Sequence, residues 1–247
     1  MSLLYIPSFI VNGKRIATLR TFDYFKNLLD EDLKYEIKPA YLKKLIASVQ
    51  GDGLSIRAGV AVMDGSFLDS PYTDNSDLIT GKVYFSGEDK TLKDSIFSED
   101  GAKLNVDFGF FTEEGTVAEM YEIKMDRLRT VGKVGKNYHG GLATDVYQFG
   151  GSGGGTNLLP KTFAYIYAWG EGDVFLENEL VEEDVEIEFY VVKGIRESGK
   201  LRGMEEEDIE LYVFLPGRFL GIGKELNVFE DGFVYLFWEN GINLKSV

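Results

Sequence analysis

The chain has 247 residues, none of them cysteine, and 41 acidic against 26 basic side chains give it a net charge of -15. Without thiols there can be no disulfides, zinc–thiolate sites, iron–sulfur clusters or cysteine nucleophiles, and so acidic a surface repels nucleic-acid phosphates and anionic membranes. With 44% hydrophobic and 14% aromatic residues, there is material for a substantial core, and a single β-rich domain over residues 1–247 is expected.

The first segment, MSLLYIPSFIV, is apolar, but it lacks a basic leader region and ends at Asn12-Gly13 after too few residues to span a bilayer. A cytoplasmic location follows as the expectation. Asn12-Gly13 is a hairpin signal, with Arg15 to Leu19 as the return strand. Two short helices are then predicted within residues 21–50. In the first, Thr21 caps a face of Phe22, Phe25, Leu28 and Leu29. In the second, Pro39 sits in the first turn, Leu42, Leu45, Ile46 and Val49 fall at i, i+3, i+4 and i+7, and Gly51-Asp52-Gly53 ends the helix.

From Leu54 the period becomes strand-like, with glycine-bearing turns between short runs. Predicted strands are Leu54 to Met63, Gly81 to Ser86, Lys103 to Thr112, Thr116 to Lys124, Arg127 to Val134 and Thr144 to Phe149. They continue with Thr162 to Trp169, Val174 to Glu177, Val185 to Val192, Ile209 to Leu215, Phe219 to Val228 and Phe233 to Trp238. Pro216-Gly217 suits a type II turn and Glu230-Asp231-Gly232 a hairpin with a glycine bulge. The expected fold class is mainly β: an antiparallel sandwich of jelly-roll type or a barrel, with the two helices near the N-terminus. Only two glutamines, Gln50 and Gln148, and abundant Glu and Lys fit a thermophile's composition.

Between Phe149 and Thr162 lies the run GGSGGGTNLLPK, read as a flexible loop or linker at 150–157. Gly155 to Thr162 differs from a phosphate-binding P-loop at one position. Pro160 replaces the second glycine and removes a backbone donor, and FAYIYAW then alternates as a strand where a helix is needed. The dinucleotide fingerprint fails at Thr156. His139 is the only histidine, so any Ser-His-Asp device runs through it, with Asp145 and Ser152 nearby in sequence. A structural role for His139 is favoured, because loop proximity does not make a triad. One histidine and no cysteine leave no multi-histidine metal site, and Asp74 to Asp77 lacks the EF-hand spacing. No cofactor and no metal are expected.

The stretch EDVEIEFYVV places Val185, Ile187, Phe189 and Val191 on one strand face and Asp184, Glu186 and Glu188 on the other, at steps of roughly 7 Å. Three neighbouring carboxylates raise one another's pKa and can supply the acid and base of sugar hydrolysis. The stretch resembles the E-x-D-x-E strand of the laminarinase-like jelly-roll glycoside hydrolases, over about six residues and in the order D-x-E-x-E. That resemblance implies Asp184 as nucleophile, Glu186 as the assisting carboxylate and Glu188 as acid/base, with an Asp standing where the family has a Glu. The favoured reading of the same acids is a solvated outer face.

Aromatic stripes at Phe163, Tyr165 and Tyr167, and at Phe233, Tyr235 and Phe237 beside Trp238, are read first as core and second as a ligand platform. The functional expectation is a non-catalytic structural, assembly or ligand-binding protein. Its partner would be a further copy of the chain or another protein, or else a small molecule or carbohydrate. The glycoside hydrolase is the alternative.

Overall fold

The computed structural model describes residues 9–11, 14–16, 42–56, 76–90, 99–130, 132–134, 137–148, 152, 161–197, 200–202, 208–217, 226–229 and 232–246. The chain forms two units, Met1–Tyr41 and Leu42–Val247. In the first, β1 (Phe9–Val11) and β2 (Lys14–Ile16) pair antiparallel, with Phe9 opposite Ile16 and Val11 opposite Lys14. This is the register that the Asn12-Gly13 hairpin requires. The helix expected from Thr21 lies outside the described residues.

The second unit continues with β3 (Lys43–Ile56), β4 (Ser76–Asp89), β5 (Gly101–Phe111), β6 (Val117–Leu128), β7 (Gly132–Val134), β8 (Asn137–His139) and β9 (Gly141–Gln148). After these come β10 (Thr162–Leu176), β11 (Glu179–Lys193), β12 (Ile195–Glu197), β13 (Lys200–Arg202), β14 (Ile209–Leu215), β15 (Val234–Trp238) and β16 (Asn243–Ser246). Pairing runs β10, β11, β14, β15, β3, β4, β5, β6 and back to β10, every step antiparallel. The sheet therefore closes into an eight-stranded barrel, and the jelly-roll sandwich gives way to it.

One edge of β10 is shared. Its first half, Thr162 to Trp169, pairs with β9 and its second half, Gly170 to Leu176, with β6. Along β3, likewise, Leu45 to Ser48 pair with β16, and Leu54 and Ser55 with β15. Strands β7 and β8, and strands β12 and β13, form separate two-stranded ribbons.

The predicted second helix is a strand. LKKLIASVQ satisfies both periods, but Leu45, Ala47 and Val49 are buried at every second position while Leu42 is half exposed. Short apolar runs are ambiguous by periodicity alone, and here hydrogen bonding to β4 along the whole strand decides for the extended form.

Other strand assignments change as well. Thr162 to Glu177, read as two strands, is one strand to Leu176, and Arg127 to Val134 divides between the end of β6 and β7. Of the expected strand Phe219 to Val228, the described part is a turn in which Phe229 N–H donates to the Leu226 carbonyl at 3.3 Å. β16 was not anticipated, because NLKS carries only one apolar residue. Gly217 does adopt a positive φ, +52°, and a Cβ there would lie 2.1 Å from the Gly232 carbonyl oxygen. Only glycine fits that turn.

Inside the barrel, side chains from β3, β4, β5, β6, β10, β11, β14 and β15 form one apolar core, with Phe85 stacked on Phe189 at 4.4 Å between ring centroids. Strands β14 and β15, the first half of β10 and the second half of β11 are buried on their outer face as well, in a second cluster dominated by Tyr167, Tyr190, Tyr212, Phe214, Tyr235 and Phe237. On the outside of β4, by contrast, Leu78, Lys82 and Tyr84 are exposed. The barrel thus has one covered and one open outer side.

Candidate functional site

The three carboxylates of β11 start on the expected face but occupy different environments. Val185, Ile187, Phe189 and Val191 point into the core as predicted. Asp184 sits at a bulge: its φ is +54°, the register slips between Gly172 and Val174 on β10, and its N–H donates to Asp173 Oδ1 at 3.2 Å. Its side chain is exposed and paired with Arg127. Glu186 is half-buried and pairs with Arg129 at 2.5 Å, which also reaches Glu171 at 3.5 Å. Two arginines from the end of β6 thus answer the repulsion on which an acid–base pair would rest.

Glu188 is buried, not solvated, between Trp169 on β10 and Phe214 on β14 in the ladder register. Burial pushes its carboxyl up to about 8, the charge of Glu186 adds to this, and the Tyr190 hydroxyl and Arg129 oppose it. Tyr190 Oη donates to Glu188 Oε2 at 2.8 Å. Tyr190 itself is raised well above the usual tyrosine range, chiefly by burial and then by Glu188. It packs between Tyr167 and Tyr212, with ring centroids 4.9 and 4.5 Å away.

The aromatic stripes separate accordingly. Phe233, Tyr235 and Phe237 do share a face, in the outer cluster. Tyr165 and Tyr167 do not, because a bulge between Ala164 and Ile166 turns Tyr165 toward the interior core and leaves Tyr167 in the outer cluster.

His139 ends β8, its backbone opposite Gly132. Asp145 lies in β9 with a φ of +52° and pairs with Lys43. Apart from Ser152, the glycine tract at 150–157 lies outside the described residues. Lys161 immediately precedes β10, its ammonium 4.4 Å from the Tyr147 ring centroid, a cation–π contact at the surface. Among the described residues no group of three or more acidic or histidine side chains is placed to hold a metal ion.

No protein-family model, curated protein or solved structure matches the chain. Function must therefore be read from the surface itself.

Two concave features among the described residues lie on the open outer side. Two adjoining hollows of about 480 and 570 Å³ share Gln50, Lys82, Asp107 and Glu122. Ladder register explains why these four converge: Gln50 is opposite Lys82, Lys82 opposite Asp107, and Asp107 opposite Glu122. The next row outward-facing on the same strands is Ser48, Tyr84, Asn105 and Lys124, with Asn243 beside Ser48. Lys82 pairs with Asp107 at 2.8 Å and is held above its ordinary pKa by that hydrogen bond and charge. Lys124 pairs with Glu122 at 2.7 Å and lies 4.6 Å from the Phe175 ring centroid. Tyr121, at the rim of the first hollow, is pushed up to about 12 by burial and then by its hydrogen bond to Glu119. Asp184, Glu186 and Glu188 line neither hollow. The alternation in KVYFS and KLNVD is visible in the sequence, but which strands adjoin is not, so these rows escaped sequence reasoning.

Proposed function

We propose that this chain is a non-catalytic binding protein that works through the open outer side of the barrel, over β3 to β6. One observation carries the reading: two confluent hollows open where outward-facing side chains from four adjacent strands meet, while the interior is filled with apolar side chains. Polar groups in fixed positions on a rigid sheet, beside an exposed aromatic ring, suit recognition. The partner is a ligand seated there or a protein surface, a second copy of the chain included. An apolar interior with Lys82, Asp107, Glu122 and Lys124 outside is the reverse of a transmembrane barrel, which turns an apolar band outward. A cytoplasmic location belongs to the same proposal.

Glycoside hydrolysis remains the second reading because Glu188, pushed up to about 8, has the raised pKa of a general acid. Arginine pairing of Asp184 and Glu186 and the burial of Glu188 weigh against it. A glucan-hydrolysis screen separates the two, since the binding reading expects no turnover from the wild-type chain. Turnover lost in Glu188→Gln would replace the binding reading by the enzymatic one.

For association, light scattering is expected to show either a ligand-free monomer or an oligomer that Tyr84→Arg dissociates. An oligomer indifferent to Tyr84→Arg would move the interface off this surface.

A further inference from the structure

We infer that the open side of the barrel takes a neutral saccharide; this rests on the binding reading just given and specifies its ligand. The argument is one of charge and hydrogen-bonding type. Both lysines of the two rows at the hollows are already matched, Lys82 by Asp107 at 2.8 Å and Lys124 by Glu122 at 2.7 Å, so these four charges cancel. A phosphate, sulfate or polyanion would have to displace a carboxylate from each, and would also meet the carboxylate of Glu177 in the first hollow. A ligand without charge keeps both pairs.

Around those pairs the available groups are amides and hydroxyls. Gln50, Asn105 and Asn243 each offer donors and an acceptor, and Ser48 a hydroxyl that does both. Sugar hydroxyls likewise donate and accept, so such a mixed set suits them better than it suits a purely apolar ligand. Tyr84 supplies the apolar component: half of its surface is exposed at 50%, it lines the second hollow, and Asn105 is its cross-strand neighbour. An aromatic ring at the surface flanked by the Asn105 amide and the Ser48 hydroxyl presents a face for the C–H side of a pyranose and hydrogen-bonding partners for its rim. The strands supply fixed spacing, since neighbouring rows lie roughly 7 Å apart along each strand.

The test uses the full chain and three probes: cellohexaose, mannohexaose and a sulfated hexasaccharide, by titration calorimetry and saturation-transfer NMR. Expected is binding of at least one neutral probe, weakened tenfold or more by Tyr84→Ala and by Asn105→Ala, and retained by Tyr84→Phe. Circular dichroism of the variants should match wild type, because Tyr84 is half exposed and Asn105 lies on the open side of β5. Neutral-probe binding that both alanine variants leave unchanged would overturn the site. Preference for the sulfated probe, lost in Lys82→Ala, would overturn the neutral class while leaving the binding surface in place. If no probe binds, the saccharide inference fails, and Tyr84-dependent self-association in light scattering would show that the binding reading survives it.

Discussion

Glu188 shows most clearly what a residue's position along a strand does and does not reveal. Its place on the face opposite Val185, Ile187 and Phe189 followed from period-two alternation, and the structure keeps it there. Its burial did not follow, because a one-strand pattern does not say what lies across the ladder. In the barrel its neighbours are Trp169 and Phe214, and this apolar setting pushes the carboxyl from an ordinary 4.5 up to about 8. A folded state that holds the proton more tightly than the unfolded chain is stabilised most where the unfolded group is protonated. Glu188 therefore contributes fully below about 4.5, and its contribution disappears as pH rises through about 8. Glu188→Gln keeps an oxygen to accept from Tyr190 Oη and has no proton to lose. Melting curves between about pH 5 and 9 should show wild type losing stability relative to this variant, by an amount on the order of a few kcal/mol. Parallel curves for the two proteins would mean that Glu188 does not titrate in this window.

At the scale of elements, the strands most legible in the sequence are those buried on both faces. IELYVFL and VYLFW are nearly unbroken apolar runs, and β14 and β15 are buried along almost their whole length. β3 was least legible because its apolar residues fit a helix face as well as a strand, and the deciding ladder to β4 is a partner far along the chain. In β10, Gly170 and Gly172 looked like a break between two strands, whereas they are the places where β6 comes closest. A Cβ at Gly172 would lie 1.8 Å from the Lys124 carbonyl oxygen, a backbone atom held in the β6 ladder. Gly172→Ala should force β6 and β10 apart at the seam that closes the barrel and cost on the order of 3 kcal/mol in denaturant unfolding. A loss under about 0.5 kcal/mol would show that β6 yields there at little cost.

The candidate site was legible only in fragments for a reason that belongs to the whole molecule. Lys82 and Tyr84 from β4, Asn105 and Asp107 from β5, and Glu122 and Lys124 from β6 are outward residues of unremarkable amphipathic strands. What makes them a surface is the ladder β3–β4–β5–β6, to which β16, near the end of the chain, adds Asn243 by pairing with β3. The two sides of the barrel are also unequal. β14, β15 and the second half of β11, from Glu188, are enclosed between the interior core and the outer tyrosine cluster, while β4, β5 and β6 bury one face and expose the other. Amide exchange follows the free energy of local opening, which rises with the apolar contacts that must be given up. In native-state exchange with mass spectrometry, peptides from β14, β15 and the second half of β11 should be the most protected, exchanging at the rate set by global unfolding. Peptides from β6, whose first residues, Val117 to Met120, are exposed, should exchange faster. Equal protection around the ring would mean that the barrel opens only as one unit, and that the covered side adds no local stability to the strands beneath it.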